Sequence, residues 1–225
     1  MKKMIRCFAL ASMFCLVFAT GALAGELESK LVDAASKGEI TTIQSLLKKG
    51  AQVNAIAEGD MTALMAAAMG QVEAVKLLLA KGAEVNAKNK DGMTALMATA
   101  LMGDTGVAKV LLDKGADINA RDNAGGSALL SAVMNGTTDV ILFMIERGAD
   151  VNAKGKGGLT SLILAVTFAN TDAVRALIQK GADVNAKTEG GVTALGRAEE
   201  PDLDDQDRIA RKEEIARILT EAGAR

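Results

Sequence analysis

Side chains that commonly carry out catalysis are scarce in this chain. It contains no His, and its two Cys, Cys7 and Cys15, lie in an N-terminal segment that we expect to be removed. A nucleophile activated by His is therefore impossible, and so is a metal site built from imidazole or thiolate ligands. Most remaining carboxylates recur at turn positions, such as Asp117, Asp150 and Asp183. The composition predicts a protein that is not an enzyme and that has no cofactor.

An acidic segment at residues 199–207 has partial likeness to a calcium-binding loop. The oxygen-bearing residues at loop positions 1, 3, 5 and 12 are Asp202, Asp204, Gln206 and Glu213. Position 6, where such loops need Gly, holds Asp207, and Arg208, Arg211 and Lys212 are close enough in sequence to neutralise the acidic charge. We predict no metal site and interpret the segment as a charged loop, with weak calcium binding as the alternative.

A glycine-rich string, Gly-Lys-Gly-Gly at residues 155–158, resembles a phosphate-binding loop at first sight. A phosphate-binding loop of this kind follows a β-strand and has a fixed spacing to its Lys and Ser or Thr. Both features are missing from the sequence around the string. We therefore interpret residues 155–158 as a turn.

The first 24 residues have the layout of a cleavable secretory signal peptide. A basic start is followed by an apolar stretch at residues 7–19 and by Ala22-Leu23-Ala24, which provides small residues before a cleavage site. The apolar stretch is shorter than the roughly 20 residues needed to cross a bilayer, which favours cleavage over a membrane anchor. We expect a bacterial protein that is periplasmic or secreted and that has no membrane span after cleavage.

Cleavage would leave an acidic chain with few aromatic side chains. Removing Lys2, Lys3 and Arg6 lowers the number of Lys and Arg from 26 to 23, against 28 Asp and Glu, for a net charge near −5. Nucleic-acid binding needs a basic face, so no nucleic-acid partner is predicted. Only Phe143 and Phe168 remain as aromatic residues, so the core must consist of aliphatic and Met side chains.

The dominant pattern is an internal repeat of 32 or 33 residues. A Gly-Ala-x-Val/Ile-Asn string begins at Gly50, Gly82, Gly115, Gly148 and Gly181. A second string, in which Thr or Ser precedes Ala-Leu or Ser-Leu, begins at Thr62, Thr94, Ser127, Thr160 and Thr193. Two independent markers with one period indicate structural units that stack on one another.

Each repeat predicts two short helices. The Thr or Ser of the second string is a suitable N-cap, and an Ala-, Met- and Leu-rich helix follows it, for example at residues 63–69 and 95–102. Gly70, Gly103 and Gly136 then break the chain at points where a left-handed residue is needed. The second helix is amphipathic, and a turn rich in Gly and Asn leads to the next repeat. Neither helix can bury its apolar face alone.

This pattern resembles the ankyrin repeat. The likeness is carried best by Asp91-Gly92-Met93-Thr94-Ala95-Leu96-Met97 and by Gly115-Ala116-Asp117-Ile118-Asn119-Ala120, and it covers about residues 26–225. It implies an all-α ankyrin-repeat solenoid of about six helix-turn-helix repeats with short hairpin fingers. The family pattern has His where this chain has Met65 and Met97, so the polar network of that His must be absent. We expect both Met side chains to lie in the core.

The predicted fold is a single domain at residues 25–225 with a capping repeat at each end. The N-terminal cap, the internal repeats and the C-terminal cap cover about residues 26–54, 55–186 and 187–225. The acidic segment 199–207 is inserted between the two helices of the C-terminal cap, and the closing helix is expected at about residues 208–222.

The resemblance also implies where a partner would bind, because partners of ankyrin repeats usually contact the hairpin tips and the concave face of the first helices. Many residues expected on that side are apolar. The partner-binding candidates are Met61, Met69, Met93, Leu101, Met102, Met134, Leu159, Phe168 and Val192. Soluble proteins rarely expose a large apolar patch without a use, and Met suits an adaptable contact surface. The alternative is that these side chains pack between repeats as core.

The resemblance predicts a non-catalytic protein-protein interaction module in the bacterial envelope. It would bind an unidentified protein as a monomer, and it would protect or assemble an envelope enzyme. An alternative is an immunity or inhibitor protein against a periplasm-acting toxin, which would show a concentrated charged or aromatic patch. Alternatives of another class are a calcium-binding protein centred on residues 199–213 and a secreted effector.

Overall fold

The computed structural model describes residues 25–57, 59–200 and 206–225. The predicted signal peptide lies outside the described residues, and so do Asp202 and Asp204 of the calcium-loop alternative. The described ranges contain helices, turns and isolated bridge pairs but no β-strand. This finding confirms the predicted all-α class.

Twelve helices follow one another along the described ranges, in alternating first and second positions of a helix pair. The first helices are α1 (25–36), α3 (Ala63–Ala67), α5 (Ala95–Met102), α7 (Ala128–Asn135), α9 (Ser161–Thr167) and α11 (Ala194–Glu199). The second helices are α2 (Ile40–Lys48), α4 (Val72–Ala80), α6 (Thr105–Asp113), α8 (Thr138–Glu146), α10 (Thr171–Gln179) and α12 (Gln206–Glu221). A short 3₁₀ turn, Lys156–Gly158, precedes α9.

The five predicted N-caps are confirmed, and one predicted helix end and one predicted helix start are corrected. Five hydroxyl oxygens accept a hydrogen bond from the backbone N–H three residues later, at 3.0–3.4 Å: those of Thr62, Thr94, Ser127, Thr160 and Thr193. Helix α3 ends at Ala67 rather than at Met69, because the chain turns through Gly70 at a φ of 127°. Helix α12 begins at Gln206, two residues before the expected start, which places Asp207 in the first turn, where the helix dipole favours an acidic residue.

The chain divides into two compact units. Unit 1 holds the described residues up to Ala67 together with Gln71–Glu84, and unit 2 holds Ala68–Gly70 and Val85–Arg225. In unit 1, α4 packs against α2 and α3. The single-domain organisation with a cap at each end stays a prediction.

Helix α1 carries two exposed ion pairs on its surface. The carboxylate of Glu26 accepts from Lys30, and that hydrogen bond lowers the pKa of Glu26. Asp33 accepts from Lys37 in the same way and raises the pKa of Lys37. Both pairs are exposed and follow the i, i+4 spacing that stabilises a helix surface slightly.

Unit 2 consists of two layers of helices. The first helices pack in the order α5, α7, α9, α11, and the second helices pack in the order α6, α8, α10, α12. Each first helix also packs against the second helix of its own pair. The core between the layers is aliphatic with Met, as predicted, and its fully buried side chains include Leu96, Met97, Leu111, Leu129, Ile141 and Met144. Met65 in unit 1 is also buried, which confirms the core position expected for both Met65 and Met97.

The Asn of the repeat marker links neighbouring repeats. Asn119 Oδ1 accepts from the backbone N–H of Asp150 at 2.9 Å, and Asn119 Nδ2 donates to the carbonyl of Gly148 at 3.3 Å. The equivalent pair of bonds is made by Asn54 within unit 1 and by Asn86, Asn152 and Asn185 within unit 2. The repeated Asn therefore satisfies backbone groups that helix packing alone would leave unpaired.

Candidate functional site

Large apolar side chains are exposed at the C-terminal ends of the first helices. Met69, Met102, Met134 and Phe168 are 46%, 47%, 57% and 50% exposed. Each stands seven or eight residues after its N-cap Thr or Ser, in the last turn of a first helix or just after it. All four residues belong to unit 2. We refer to these four residues as the exposed stripe.

Hydrogen bonds hold the helix ends that carry the exposed stripe next to one another. Three side chains donate to a backbone carbonyl of the preceding repeat: Thr99 to Ala68 at 3.0 Å, Asn135 to Leu101 at 2.9 Å and Asn170 to Gly136 at 3.1 Å. Two of the accepting carbonyls belong to the residues directly before Met69 and Met102. Successive members of the exposed stripe are therefore carried by adjacent, mutually bonded helix ends.

The helices beneath the exposed stripe carry no charge. Helices α5, α7 and α9 contain no Asp, Glu, Lys or Arg. Cationic groups lie at one end of the stripe, where Arg208 of α12 donates to the carbonyl of Thr167 at 2.8 Å. Arg211, on the same helix, lines a shallow depression together with Phe168 and Asp172. The stripe is thus an apolar, uncharged surface with charged groups, Arg211 and Asp172, at its Phe168 end.

The other candidate residues are only half exposed. Met61, Met93, Leu101, Leu159 and Val192 are all intermediate in exposure. Four of the five, all except Leu101, directly precede an N-cap, and their backbone carbonyls close the hairpin fingers. The carbonyl of Met93, for example, accepts from the backbone N–H of Asn89 at 3.1 Å. Their side chains therefore lie partly in the packing between elements and partly on the surface. The nine candidates divide into four that are exposed and five that are half-buried.

The hairpin fingers of unit 2 lie against each other through backbone contacts. The Asn123 N–H donates to the carbonyl of Asp91 at 2.9 Å. Gly92 has a φ of 79°, and a Cβ added there would come within 2.8 Å of the Asn123 backbone nitrogen, so only Gly fits. Residues 155–158 form the 3₁₀ turn of a finger, which confirms their interpretation as a turn.

The sequence did not identify the polar residues that join the first-helix ends by donating to backbone carbonyls of the preceding repeat. Thr99, Asn135 and Asn170 stand in or just after otherwise apolar helices, and that isolation was the only available signal. Two basic residues of α12 donate to backbone carbonyls, and neutralisation of the acidic segment stays a prediction because residues 201–205 lie outside the described residues. Arg208 donates to Thr167, and Lys212, which is buried, donates to the carbonyl of Glu200 at 2.7 Å. Among the described residues, no group of carboxylates is arranged to hold a metal ion.

Comparison with known families decides the fold assignment. Residues 31–122, 70–155 and 117–188 match the family described as ankyrin repeats (3 copies). The chain belongs to the ankyrin-repeat family. Ankyrin repeats generally act as protein-protein interaction modules and are typically non-catalytic. The three matches overlap, so they do not count the repeats, and the number of about six stays a prediction for this ankyrin-repeat protein.

No curated protein matches the sequence of this ankyrin-repeat chain. Within the described residues, every helix is too short or too polar to pass through a bilayer.

Proposed function

We propose that this ankyrin-repeat protein binds a protein partner in the bacterial envelope through the exposed stripe and the adjoining hairpin fingers of unit 2. The observation that carries the proposal is the placement of Met69, Met102, Met134 and Phe168 at the C-terminal ends of successive first helices, which carry no charge. Scattered exposed apolar residues need no explanation, but exposed apolar residues on successive helix ends are typical of a binding surface.

The chemistry of the exposed stripe favours an apolar partner surface. The centres of protein interfaces are depleted in charged residues and enriched in Met and aromatic residues, as this stripe is. The three unbranched Met side chains can adapt to an irregular partner, and Phe168 offers one rigid contact. Arg211 beside Phe168 would suit an acidic group at the edge of the partner's apolar patch.

The role in the envelope rests on the predicted signal peptide. Protection or assembly of an envelope enzyme requires a broad, adaptable contact, which the exposed stripe provides. An immunity protein would need a concentrated charged or aromatic patch, and the stripe has one aromatic residue and no charge. N-terminal sequencing of the exported protein tests the location: Gly25 is the expected first residue, and an uncleaved chain retained in the cytoplasm would contradict it.

The binding surface can be tested by adding charge to it. Met102→Lys combined with Phe168→Lys places two cations on the exposed stripe, and we expect at least about a tenfold loss of partner retention after crosslinking in the envelope. Leu142→Lys is the matched control, because Leu142 is an exposed apolar residue (39%) on a second helix. Far-UV circular dichroism should be unchanged for both proteins. Equal loss from the control, or undiminished retention by the double variant, would remove the stripe as the binding surface.

The calcium alternative has its own measurement. It depends on Asp202 and Asp204, which lie outside the described residues. Titration calorimetry with calcium should show no heat, and the melting temperature should not change at millimolar calcium. A saturable heat that disappears in Asp202→Asn would favour a calcium-binding protein instead.

A further inference from the structure

The chain concentrates its oxidisable side chains in one residue type. It contains no His, Trp or Tyr, and both Cys lie within the first 15 residues. From residue 25 onward, the Met thioethers are therefore the side chains that react most readily with two-electron oxidants. Such a composition directs oxidation chemistry to whichever Met side chains are accessible.

The Met side chains fall into sharply different environments, sometimes within one helix. In α5, Met97 is 1% exposed and Met102 is 47% exposed. Met69 and Met134, at the ends of the first helices that come before and after α5 in the chain, are exposed like Met102. Met65 and Met144 are buried like Met97. An oxidant in solution therefore meets three open thioethers and, less readily, the half-buried ones of Met61 and Met93, whereas the buried ones become accessible only when the structure opens.

We infer that Met69, Met102 and Met134 form a modification site for hydrogen peroxide, where oxidation to the sulfoxide changes the surface without unfolding the protein. With peroxide, the thioether sulfur attacks one peroxide oxygen, the O–O bond breaks and an S–O bond forms. The sulfur loses two electrons, and the released hydroxide takes the proton from the oxygen now bound to sulfur and becomes water. The products are methionine sulfoxide and one water molecule.

The consequence is a change of polarity on three of the four residues of the exposed stripe. A sulfoxide is polar and accepts hydrogen bonds, whereas a thioether is apolar. The three side chains end the first helices and contribute little to the core, so helix packing is retained. This change occurs whether or not the stripe binds a partner; if the proposed function also holds, oxidation weakens that binding.

Site selectivity is tested by timed exposure of the purified protein to hydrogen peroxide, followed by proteolysis and mass spectrometry of the peptides. We expect Met69, Met102 and Met134 to be oxidised at least about tenfold faster than Met65, Met97 and Met144. Repeating the reaction in strong denaturant should bring the rates together. Similar rates in the folded protein, or oxidation of the exposed Met residues only after loss of helix, would overturn the inference.

The polarity change is tested by hydrophobic-interaction chromatography under native conditions, which needs no partner. Oxidised protein should elute earlier than untreated protein, with unchanged circular dichroism. A surface variant with Met69→Leu, Met102→Leu and Met134→Leu should shift much less after peroxide treatment, because only the half-buried Met61 and Met93 remain partly accessible. The matched core variant with Met65→Leu, Met97→Leu and Met144→Leu should still shift, because Leu for Met is tolerated in cores. An elution time that peroxide does not change in the parent protein, or that it changes equally in the surface variant, would contradict the assigned site.

Discussion

The two helix layers of unit 2 are built from the same repeat but have opposite surfaces. First helices α5, α7 and α9 contain no charged residue, and their exposed apolar side chains lie at their C-terminal ends. Second helices α6, α8 and α10 bury one face and expose charged residues on the other, as Lys109 and Arg175 show. The layers also differ in how they join neighbouring repeats.

In the first-helix layer, neighbouring repeats are joined by side chains that donate to backbone carbonyls. In the second-helix layer, they are joined by ion pairs. Arg147 bonds to Asp113 at 2.8 Å and Arg175 bonds to Glu214 at 2.7 Å, both between neighbouring repeats. A first helix is packed by two neighbouring first helices and by its own second helix, so a charge would be desolvated there. The second layer retains a free face on which charge is hydrated. Among the described residues of unit 2, the exposed Met and Phe side chains of the first layer lie at the helix ends.

The largest effect on the free energy of unfolding is expected from a substitution in the middle of α5, and a substitution at the end of the same helix is its comparison. Met97→Ala should lower the free energy of unfolding by about 2–5 kcal/mol, because it leaves a cavity in the core. Met102→Ala, in the same helix, should change it by no more than about 0.5 kcal/mol. Urea denaturation followed by circular dichroism measures both, since the chain has no Trp or Tyr for fluorescence. Equal losses would mean that the exposed stripe is part of the core.

The Asn links between repeats should have the next largest effect. Asn119→Ala removes the bonds to Asp150 and Gly148, and we expect a loss of about 1–3 kcal/mol in the same denaturation experiment. Asn119→Asp keeps an acceptor for the Asp150 N–H but loses the donor, so its loss should be smaller. If both variants are as stable as the parent protein, packing alone joins the repeats.

Removal of one buried hydroxyl in the first-helix layer is expected to raise the free energy of unfolding. Ser161 is fully buried and its Oγ has no hydrogen-bond partner, whereas the equivalent residues of the other repeats are Ala63, Ala95, Ala128 and Ala194. Ser161→Ala should raise the free energy of unfolding by about 1 kcal/mol, because it removes an unpaired polar group. Ser131→Ala, at a half-buried position, controls for helix propensity and should give a smaller gain. A loss in Ser161→Ala would show that its hydroxyl is bonded in solution.

The smallest effect is expected in the second-helix layer. Asp113→Asn removes the ion pair with Arg147, but Asp113 is about half exposed, so we expect a loss below about 0.5 kcal/mol. The loss should shrink further in about 1 M salt, where exposed charges are screened. A salt-independent loss above about 1 kcal/mol would make ion pairs as important to repeat stacking as the Asn links.

The sequence by itself determined the repeat, the positions of the Thr and Ser N-caps and the buried positions of Met65 and Met97. These features follow from local rules, since capping needs a hydroxyl at one position and helix packing needs apolar residues at a regular spacing. The same rules could not separate Met69 and Met102 from Met61 and Met93, because all four are apolar residues beside a helix end. Exposure depends on what a neighbouring element covers.

Only the tertiary structure decided which of these side chains stay open. Bonds from Thr99, Asn135 and Asn170 hold the first-helix ends in one row, and those bonds join residues more than 30 positions apart. No local pattern encodes such a pairing, because each donor finds its acceptor only after the repeats have stacked. The exposed stripe, with its selective access to oxidants and its proposed partner, is therefore a product of stacking, built from residues that the sequence marks only as apolar.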